Sequence, residues 1–218
     1  MTRLSSTETD PVAAAALPDE HREGWATRIT EALGDGYRDH HILAGRDLWV
    51  RVNRDSWVDA ATAIRDRLGC RFFDWLSAID WLPSPYGRDM DAQEDNPRPR
   101  AAEPMEQGYA GGETRFQMLL RLYSMEHHLG LTIKADLPDD DLSIDTLIGV
   151  FPGANWHERE AWEMFGIHFN GHPDLRHLYL PGEFEGNPLR KDYPLLARRV
   201  KPWPGIVDVE LMPGEESS

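Results

Sequence analysis

The chain has 218 residues, enough for one domain with a sizeable hydrophobic core. Its 38 Asp and Glu residues outnumber 23 Lys and Arg residues, and this net charge of −15 argues against general binding of nucleic acid or anionic lipid headgroups. Because Cys70 is the single cysteine, the chain cannot form an internal disulfide or supply the cysteine clusters that hold iron–sulfur centres.

Membrane and targeting signals are weak in this sequence. No stretch approaches the roughly 20 consecutive apolar residues that a membrane-spanning helix needs. The first residues lack the apolar core of a signal peptide and carry acids that a mitochondrial presequence would avoid. We therefore expect a cytoplasmic protein without direct membrane insertion, in which residues 1–18 form a disordered N-terminal tail.

The first third of the chain predicts a helix, a strand and a second helix. The pattern from Asp19 to Leu33 is amphipathic and is followed by a glycine, which is typical of a helix end. Residues 47–52 alternate apolar and polar side chains, as a half-buried strand does. Asp55 or Ser56 can cap a second helix, whose apolar residues recur at helical spacing.

Three further strands are predicted at residues 70–83, 114–125 and 129–138, with a short turn at His127 and His128 between the last two. Strand, helix and three strands together predict an α+β domain over residues 19–166. We expect a mixed or antiparallel sheet of about four strands with helices packed on it.

Residues 83–112 are rich in proline, glycine and charged side chains, a composition that leaves little to bury. We interpret this segment as a flexible insertion between two strands. A structureless loop of this length counts against the neighbouring strand assignments unless the loop is an accessory.

The last part of the chain predicts a short helix at residues 144–150, then a helix capped by Asn155 and ended by Gly166. Glu158 would complete the cap as the acid at the third helical position. Repeated prolines after Gly166 exclude long helices. We therefore predict an extended, partner-binding C-terminal arm at residues 167–218.

The helix after Asn155 is unusually charged. At roughly 100 degrees per residue, Glu158 lies on its apolar side, whereas Arg159, Glu160 and Glu163 lie on the opposite side. A carboxylate such as Glu158 either contacts a cation, with Arg176, Arg190 or Lys191 as candidates, or is an exposed first-turn acid that complements the helix N-terminus. Glu160 and Glu163 are typical of a solvated face.

A metal site is conceivable at the same place, because His157, Glu160 and Glu163 are three residues apart and further histidines follow. However, HExxH is absent, and no second Glu-x-x-His helix could complete a di-metal bundle. Patterns for a nucleophilic serine or a phosphate-binding loop are also absent. A stand-alone hydrolase that uses the Glu and His cluster therefore has little support.

The run "EREAWEMFGIHFNGHPDLRHLYLPGEFEGNPLRKDYP", residues 158–194, resembles the signature of the 30-kilodalton subunit family of NADH-quinone oxidoreductase, respiratory complex I. The resembling parts are the Glu-Arg-Glu opening, Glu163, "MFGI", "GHPDLR" and "PLRKDYP". "FDWLSAIDW" and the strand pair after the insertion also look like this family. The departures are the long insertion, His177 in place of a basic residue, and the Pro-rich end.

The resemblance implies a peripheral-arm subunit of proton-pumping NADH:quinone oxidoreductase that binds no cofactor itself. FMN, iron–sulfur clusters, NADH and a quinone would be used elsewhere in the complex. Partners would be subunits D and B and a neighbouring ferredoxin-like subunit, on the cytoplasmic side of a bacterial cell membrane. The expected partner-binding residues are Glu158, Arg159, Glu160, Glu163, His172, Asp174, Arg176, Arg190, Lys191, Asp192 and Tyr193.

One alternative stays open within this resemblance. Membrane-bound hydrogenases and other electron-donor versions of the complex contain an equivalent subunit with a similar Glu-Arg-Glu helix. The sequence does not separate these two assignments.

Overall fold

The computed structural model describes residues 19–83 and 104–193, which form an α+β domain on a mixed sheet, as predicted. The predicted tail at residues 1–18 and the end of the arm after residue 193 lie outside the described residues. In chain order the elements are α1 (Glu20–Leu33), β1 (Tyr37–Leu43), β2 (Asp47–Val52), α2 (Trp57–Arg67), β3 (Phe72–Asp80), β4 (Phe116–Ser124), β5 (Leu129–Leu137), β6 (Ser143–Asp145), α3 (Ala154–Phe165) and β7 (His168–Asn170).

Strand β5 lies at the centre of the five-stranded sheet, whose order is β1-β2-β5-β4-β3. It pairs in parallel with β2, from Leu48 opposite Leu131 to Val52 opposite Ala135, and antiparallel with β4. Nearly every residue of β5 is buried, because both faces of the sheet are covered at this strand.

The hydrophobic core lies between one face of the sheet and helices α1 and α2. Successive side chains of a strand point to opposite faces, so Leu48 and Val50 of β2 enter this core together. Trp57 and Ile64 of α2 are also fully buried there. Each such side chain contributes about 1.5–3 kcal/mol relative to exposure. Helix α3 joins the same core through its apolar residues, which fixes its position beside β3.

Strand β1 was not predicted from the sequence. It is an edge strand paired antiparallel with β2, and most of its side chains are exposed. A strand with solvent on both faces needs no apolar alternation, so the hydrophobic pattern that identified β2 is missing here. Polar and charged side chains on such an edge disfavour pairing with other chains.

The predicted helix at residues 144–150 is wrong. Strand β6 occupies part of this stretch and pairs in parallel with β7, from Ser143 opposite His168 to Asp145 opposite Asn170. Ile144 and the next buried residue, Leu147, are three positions apart, which imitates helical spacing. Thr146 between them donates its N–H to Asn170 O in β7, and Leu147 O accepts the N–H groups of Val150 and Phe151 in a turn.

Helix α3 ends as predicted but does not begin as predicted. Gly166 ends it with φ 75°, a left-handed conformation that favours glycine, and donates its N–H to Trp162 O. The first helical residue is Ala154, so Asn155 is not the cap, and Glu158 does not form a capping box. Backbone carbonyls of the preceding turn accept the first N–H groups instead.

Residues 104–112, the end of the predicted flexible insertion, are part of the folded domain. Lys134 of β5 donates from its buried ammonium to the backbone oxygens of Gln107, Tyr109 and Gly111, at 2.7, 2.8 and 2.8 Å. The prediction of a flexible insertion is therefore wrong at residues 107–111, whose backbone is bonded to the sheet. The remainder, residues 84–103, lies outside the described residues.

Candidate partner-binding site on helix α3

Helix α3 has four charged side chains between residues 158 and 163, and three of them are buried. The exposed fraction is 0% for Glu158, 8% for Arg159 and 2% for Glu163. Glu160 alone keeps partial contact with solvent. The expectation of a solvated face at Glu163 is therefore wrong, because the chain after the helix folds back over that side. We call residues 171–193 the C-terminal segment.

Glu163 is the main anchor of the C-terminal segment. Its carboxylate accepts the backbone N–H groups of Leu178 at 3.0 Å, Tyr179 at 3.1 Å and Leu180 at 2.6 Å, and its Oε1 lies 3.1 Å from His177 Nδ1. Burial alone would raise the pKa of Glu163, but the backbone donors outweigh burial and hold that pKa below its usual value. An ionised carboxylate thus binds three consecutive amides of an extended stretch.

Arg159 complements Glu163 from the preceding turn of the helix. Its Nε donates to Arg176 O and its Nη2 to His177 O, each at 3.0 Å. A guanidinium that binds carbonyls and a carboxylate that binds amides, four residues apart on one helix face, match the two hydrogen-bonding types of an extended backbone. The register of residues 176–180 on α3 is therefore fixed by these two side chains.

The C-terminal end of α3 is closed by the same segment. Asn187 donates its side-chain amide to Glu163 O at 3.0 Å, Leu189 donates its N–H to Met164 O at 3.1 Å, and Arg190 Nε donates to Phe165 O at 2.6 Å. The last carbonyls of a helix have no partner within the helix, so these donors stabilise its end.

A buried ion pair holds the far end of the C-terminal segment. Asp80, at the end of β3, accepts two hydrogen bonds from Arg115, at 2.9 and 2.7 Å, and one from Lys191 N at 2.8 Å. Arg115 also contacts Asp192 at 2.9 Å. Burial would raise the pKa of Asp80, but Arg115 and the backbone donors together lower it. Lys191 and Asp192 are thereby bonded to the end of the sheet.

Glu158 lies on the other side of α3 and contacts no cation within the described residues. Its oxygens accept hydrogen bonds from Thr146 Oγ1 at 2.5 Å and Leu147 N at 2.6 Å. Burial raises the pKa of Glu158 to about 7, although both hydrogen bonds oppose the shift. Both alternatives offered by the sequence are therefore wrong: Glu158 is fully buried rather than exposed in the first turn, and it does not pair with Arg176, Arg190 or Lys191. It holds the chain between β6 and α3 instead.

The remaining predicted residues lie along the C-terminal segment. His172 contacts Asn155 O at 3.3 Å through Nε2. Asp174 and Arg176 form an exposed ion pair at 3.0 Å. Tyr193 donates its N–H to Arg190 O at 3.0 Å. The structure thus gathers most of the predicted site on and around α3, with bonds inside the chain.

The sequence patterns did not identify the buried polar cluster on the second face of the sheet. Lys134 lies in its centre, and burial lowers the pKa of Lys134 to about 8, so the side chain is still an ammonium at neutral pH. Gln117 joins the cluster by donating to Asp136 and to Gly111 O, at 2.5 and 3.1 Å. One lysine within the apolar stretch "LGLTIKADL" is the signal that could have revealed it.

Two further findings concern chemistry and membranes. Across residues 19–83 and 104–193, no group of three or more His, Cys, Asp or Glu side chains is arranged to hold a metal ion. None of the helices in these described ranges is both long and apolar enough to span a bilayer.

Solved structures share this fold. A trypsin-resistant fragment of Nqo5 aligns with a TM-score of 0.50 and 22% identity, covering 69% of this chain and 98% of that one. A chain in the structure of the membrane-bound sulfane sulfur reductase, an archaeal respiratory membrane complex, aligns with a TM-score of 0.59 and 20% identity, covering 80% and 86%. At these identities the likeness concerns the fold alone.

The sequence comparisons define the family. Residues 50–199 match the family described as "Respiratory-chain NADH dehydrogenase, 30 Kd subunit". The C/D subunit of NADH-quinone oxidoreductase from Pseudomonas fluorescens (strain SBW25) is 36% identical over 166 residues, which is 72% of this chain and 27% of that protein. The C/D subunit from Photorhabdus laumondii is 41% identical over 128 residues, 59% of this chain and 20% of that protein.

The chain therefore belongs to the family of the 30 kDa subunit of respiratory-chain NADH dehydrogenase, as the resemblance in residues 158–194 predicted. It spans only 20–27% of the length of these two relatives.

Proposed function

We propose that this chain is a peripheral-arm subunit of proton-pumping NADH:quinone oxidoreductase, which holds neighbouring subunits together and has no catalytic activity by itself. The observation that carries this proposal is the C-terminal segment fixed along α3 by Arg159 and Glu163. Both side chains are engaged in binding backbone, so they fix a surface in place and leave its outer side chains for partners.

The proposal extends to the neighbours and cofactors of the complex. Subunits D and B and a ferredoxin-like subunit are the proposed partners. FMN, the iron–sulfur clusters, NADH and the quinone are bound by other subunits, and this chain lies on the cytoplasmic side of a bacterial cell membrane. The family assignment and the single cysteine, Cys70, which is buried, support this division of roles.

A second candidate is the equivalent subunit of a membrane-bound hydrogenase or another electron-donor version of the complex. The fold is shared with a chain of an archaeal respiratory membrane complex, and this shared fold supports the second candidate. The two candidates differ in their partners and not in the proposed role of α3.

Purification of the tagged chain from its native membranes, followed by mass spectrometry, tests the proposal. We expect an NADH-binding flavin subunit together with subunits D and B. Hydrogenase subunits in their place would support the second candidate. Recovery of the chain without respiratory subunits would contradict both.

A further inference from the structure

Two aromatic side chains near α3 are unusually exposed. Trp156, in the first turn of the helix, is 69% exposed, and Tyr179, in the C-terminal segment, is 63% exposed. Large aromatic side chains of this kind are enriched at binding hot spots. Glu160 is the charged neighbour of both, and we call these three residues the Trp156 surface.

The fold brings these three side chains together. Trp156 and Glu160 are four residues apart, so they are neighbours on one side of α3. The backbone N–H of Tyr179 is bonded to Glu163, which lies one turn beyond Glu160 on the same side. The negative charge of Glu160 also raises the pKa of Tyr179, as expected for a hydroxyl close to a carboxylate.

The chemistry of the Trp156 surface suits a cation. Within the described residues Glu160 forms no ion pair, although Arg159 and Glu163 beside it are fully engaged. A carboxylate flanked by aromatic rings can pair with a guanidinium or ammonium group while the rings contact that group through their faces. Arginine suits such a site best, because its planar group both stacks and forms two parallel hydrogen bonds.

We propose that Trp156, Glu160 and Tyr179 form a docking site for an arginine or lysine side chain of another subunit of the complex. The inference rests on the proposed function, since it names the contact that such a partner makes. A basic protein segment is the favoured occupant. The net charge of −15 disfavours anionic lipid and nucleic acid, and neither would place a cation beside Glu160.

Photo-cross-linking in the assembled complex tests the site. Trp156→p-benzoylphenylalanine keeps a large aromatic ring at the position, and the same replacement at Met125, which is 67% exposed in the β4–β5 turn, is the matched control. We expect position 156 to cross-link to a peptide of another subunit that contains Arg or Lys, and position 125 not to cross-link to that peptide. No cross-link at position 156, or a partner peptide without a basic residue, would overturn the proposal.

Substitution supplies the second measurement. We expect Glu160→Gln to lower the amount of chain retained in the purified complex about tenfold, as loss of a desolvated charge pair would. Glu126→Gln, an exposed acid in the β4–β5 turn, should leave retention unchanged. Equal retention of both variants would contradict the docking site.

Charge exchange identifies the cation. Replacement of the cross-linked basic residue by Glu should release the chain, and Glu160→Arg should restore binding to that altered partner. A cross-link from position 156 to this chain's own residues 194–218 would show an internal occupant and overturn the proposal, leaving the proposed function intact. If the unaltered chain does not purify with respiratory subunits, the proposed function itself fails.

Discussion

The carboxylate of Glu163 accepts the backbone N–H of Leu180 at 2.6 Å, across 17 residues of the chain. The same carboxylate binds the two preceding amides, so one side chain holds a whole extended stretch on helix α3. The interaction is between an ionised acceptor and backbone donors, a strong class of hydrogen bond.

Glu163→Gln should release this stretch. The amide retains one oxygen acceptor but places an NH2 group where the second oxygen accepted hydrogen bonds, so buried amides lose their partner. Such a loss costs about 1–3 kcal/mol. We expect lower thermal stability and faster protease cleavage between residues 176 and 180. Glu126→Gln, at an exposed acid in the β4–β5 turn, is the control, and equal cleavage of the two variants would count against the anchor.

Acidification should weaken the same anchor. The pKa of Glu163 is lowered in the folded protein, so the stability that it contributes is fully present above the ordinary pKa of glutamate. That contribution is lost as the pH falls through the folded-state pKa. The difference in unfolding free energy between wild type and Glu163→Gln should therefore shrink on acidification. Chemical denaturation across a pH series measures it, and a constant difference would contradict the assignment.

Glu158 should show the opposite pH dependence. Its pKa rises from 4.5 to about 7 on folding, because the carboxylate is buried without a cation among the described residues. Its stabilising contribution is fully present below pH 4.5 and is lost as the pH rises to about 7. The predicted loss is about 3 kcal/mol, from 1.36 kcal/mol for each pKa unit.

Glu158→Gln removes this titration while keeping an acceptor for Leu147 N–H. We expect the variant to gain stability relative to wild type as the pH rises from 4.5 to 8, measured by chemical denaturation. The sequence offered two alternatives for Glu158, pairing with an arginine or lysine and exposure in the first helical turn, and neither predicts this pH dependence. A stability difference that does not change with pH would argue for an ionised Glu158.

Lys134→Met tests the polar cluster beneath residues 107–111. Methionine can occupy the space of the lysine stem but leaves three backbone oxygens without their donor, which costs about 1–3 kcal/mol. Hydrogen exchange at residues 107–111 should accelerate. Lys191→Met is the matched control, because Lys191 bonds to Asp80 through its backbone and its side chain is exposed. Unchanged hydrogen exchange at residues 107–111 in Lys134→Met would show that Lys134 does not hold this stretch on the sheet.

The contacts of Lys134 separate residues 107–111, which are bonded to the sheet, from the rest of the predicted insertion. Replacement of residues 84–103 by a short Gly-Ser linker should preserve folding, since halving the length of a connection changes its closure free energy by only about 0.6 kcal/mol. The same replacement at residues 107–111 removes the acceptors of Lys134 and should lower the melting temperature markedly. Equal melting temperatures for the two variants would contradict the division.

Much of the fold was predictable because local patterns determine it. The alternation in β2 and the glycine at the end of α3 are signals within a few residues of the structure they specify. Strand β1 lacks such a signal, because it pairs at an edge and most of its side chains face solvent. Residues 144–150 carried a misleading helical signal. Two buried residues three positions apart resemble a helix, but here one lies in strand β6 and the other follows it.

The sequence predicted where the candidate site lies, but not the hydrogen-bond partners of its side chains. The concentration of charge at residues 158–163 marked α3, and the resemblance marked the segment after it. Apart from the side chains of Thr146 and His177, the partners of Glu158 and Glu163 are backbone amides, and an amide has no side-chain identity that a sequence pattern could detect. Spacing on a helical wheel therefore placed Glu163 on a solvated face that the folded chain covers.

Retention of the Glu163→Gln chain in native membranes tests the central claim most directly. A strain lacking the chain would be complemented with wild type, Glu158→Gln or Glu163→Gln, and the chain recovered with the purified complex would be quantified. We expect wild type and Glu158→Gln to be retained alike, and Glu163→Gln to fall about tenfold with NADH:quinone reductase activity falling in proportion. Full retention and activity of Glu163→Gln would contradict the claim that Glu163 holds the partner-binding segment in place.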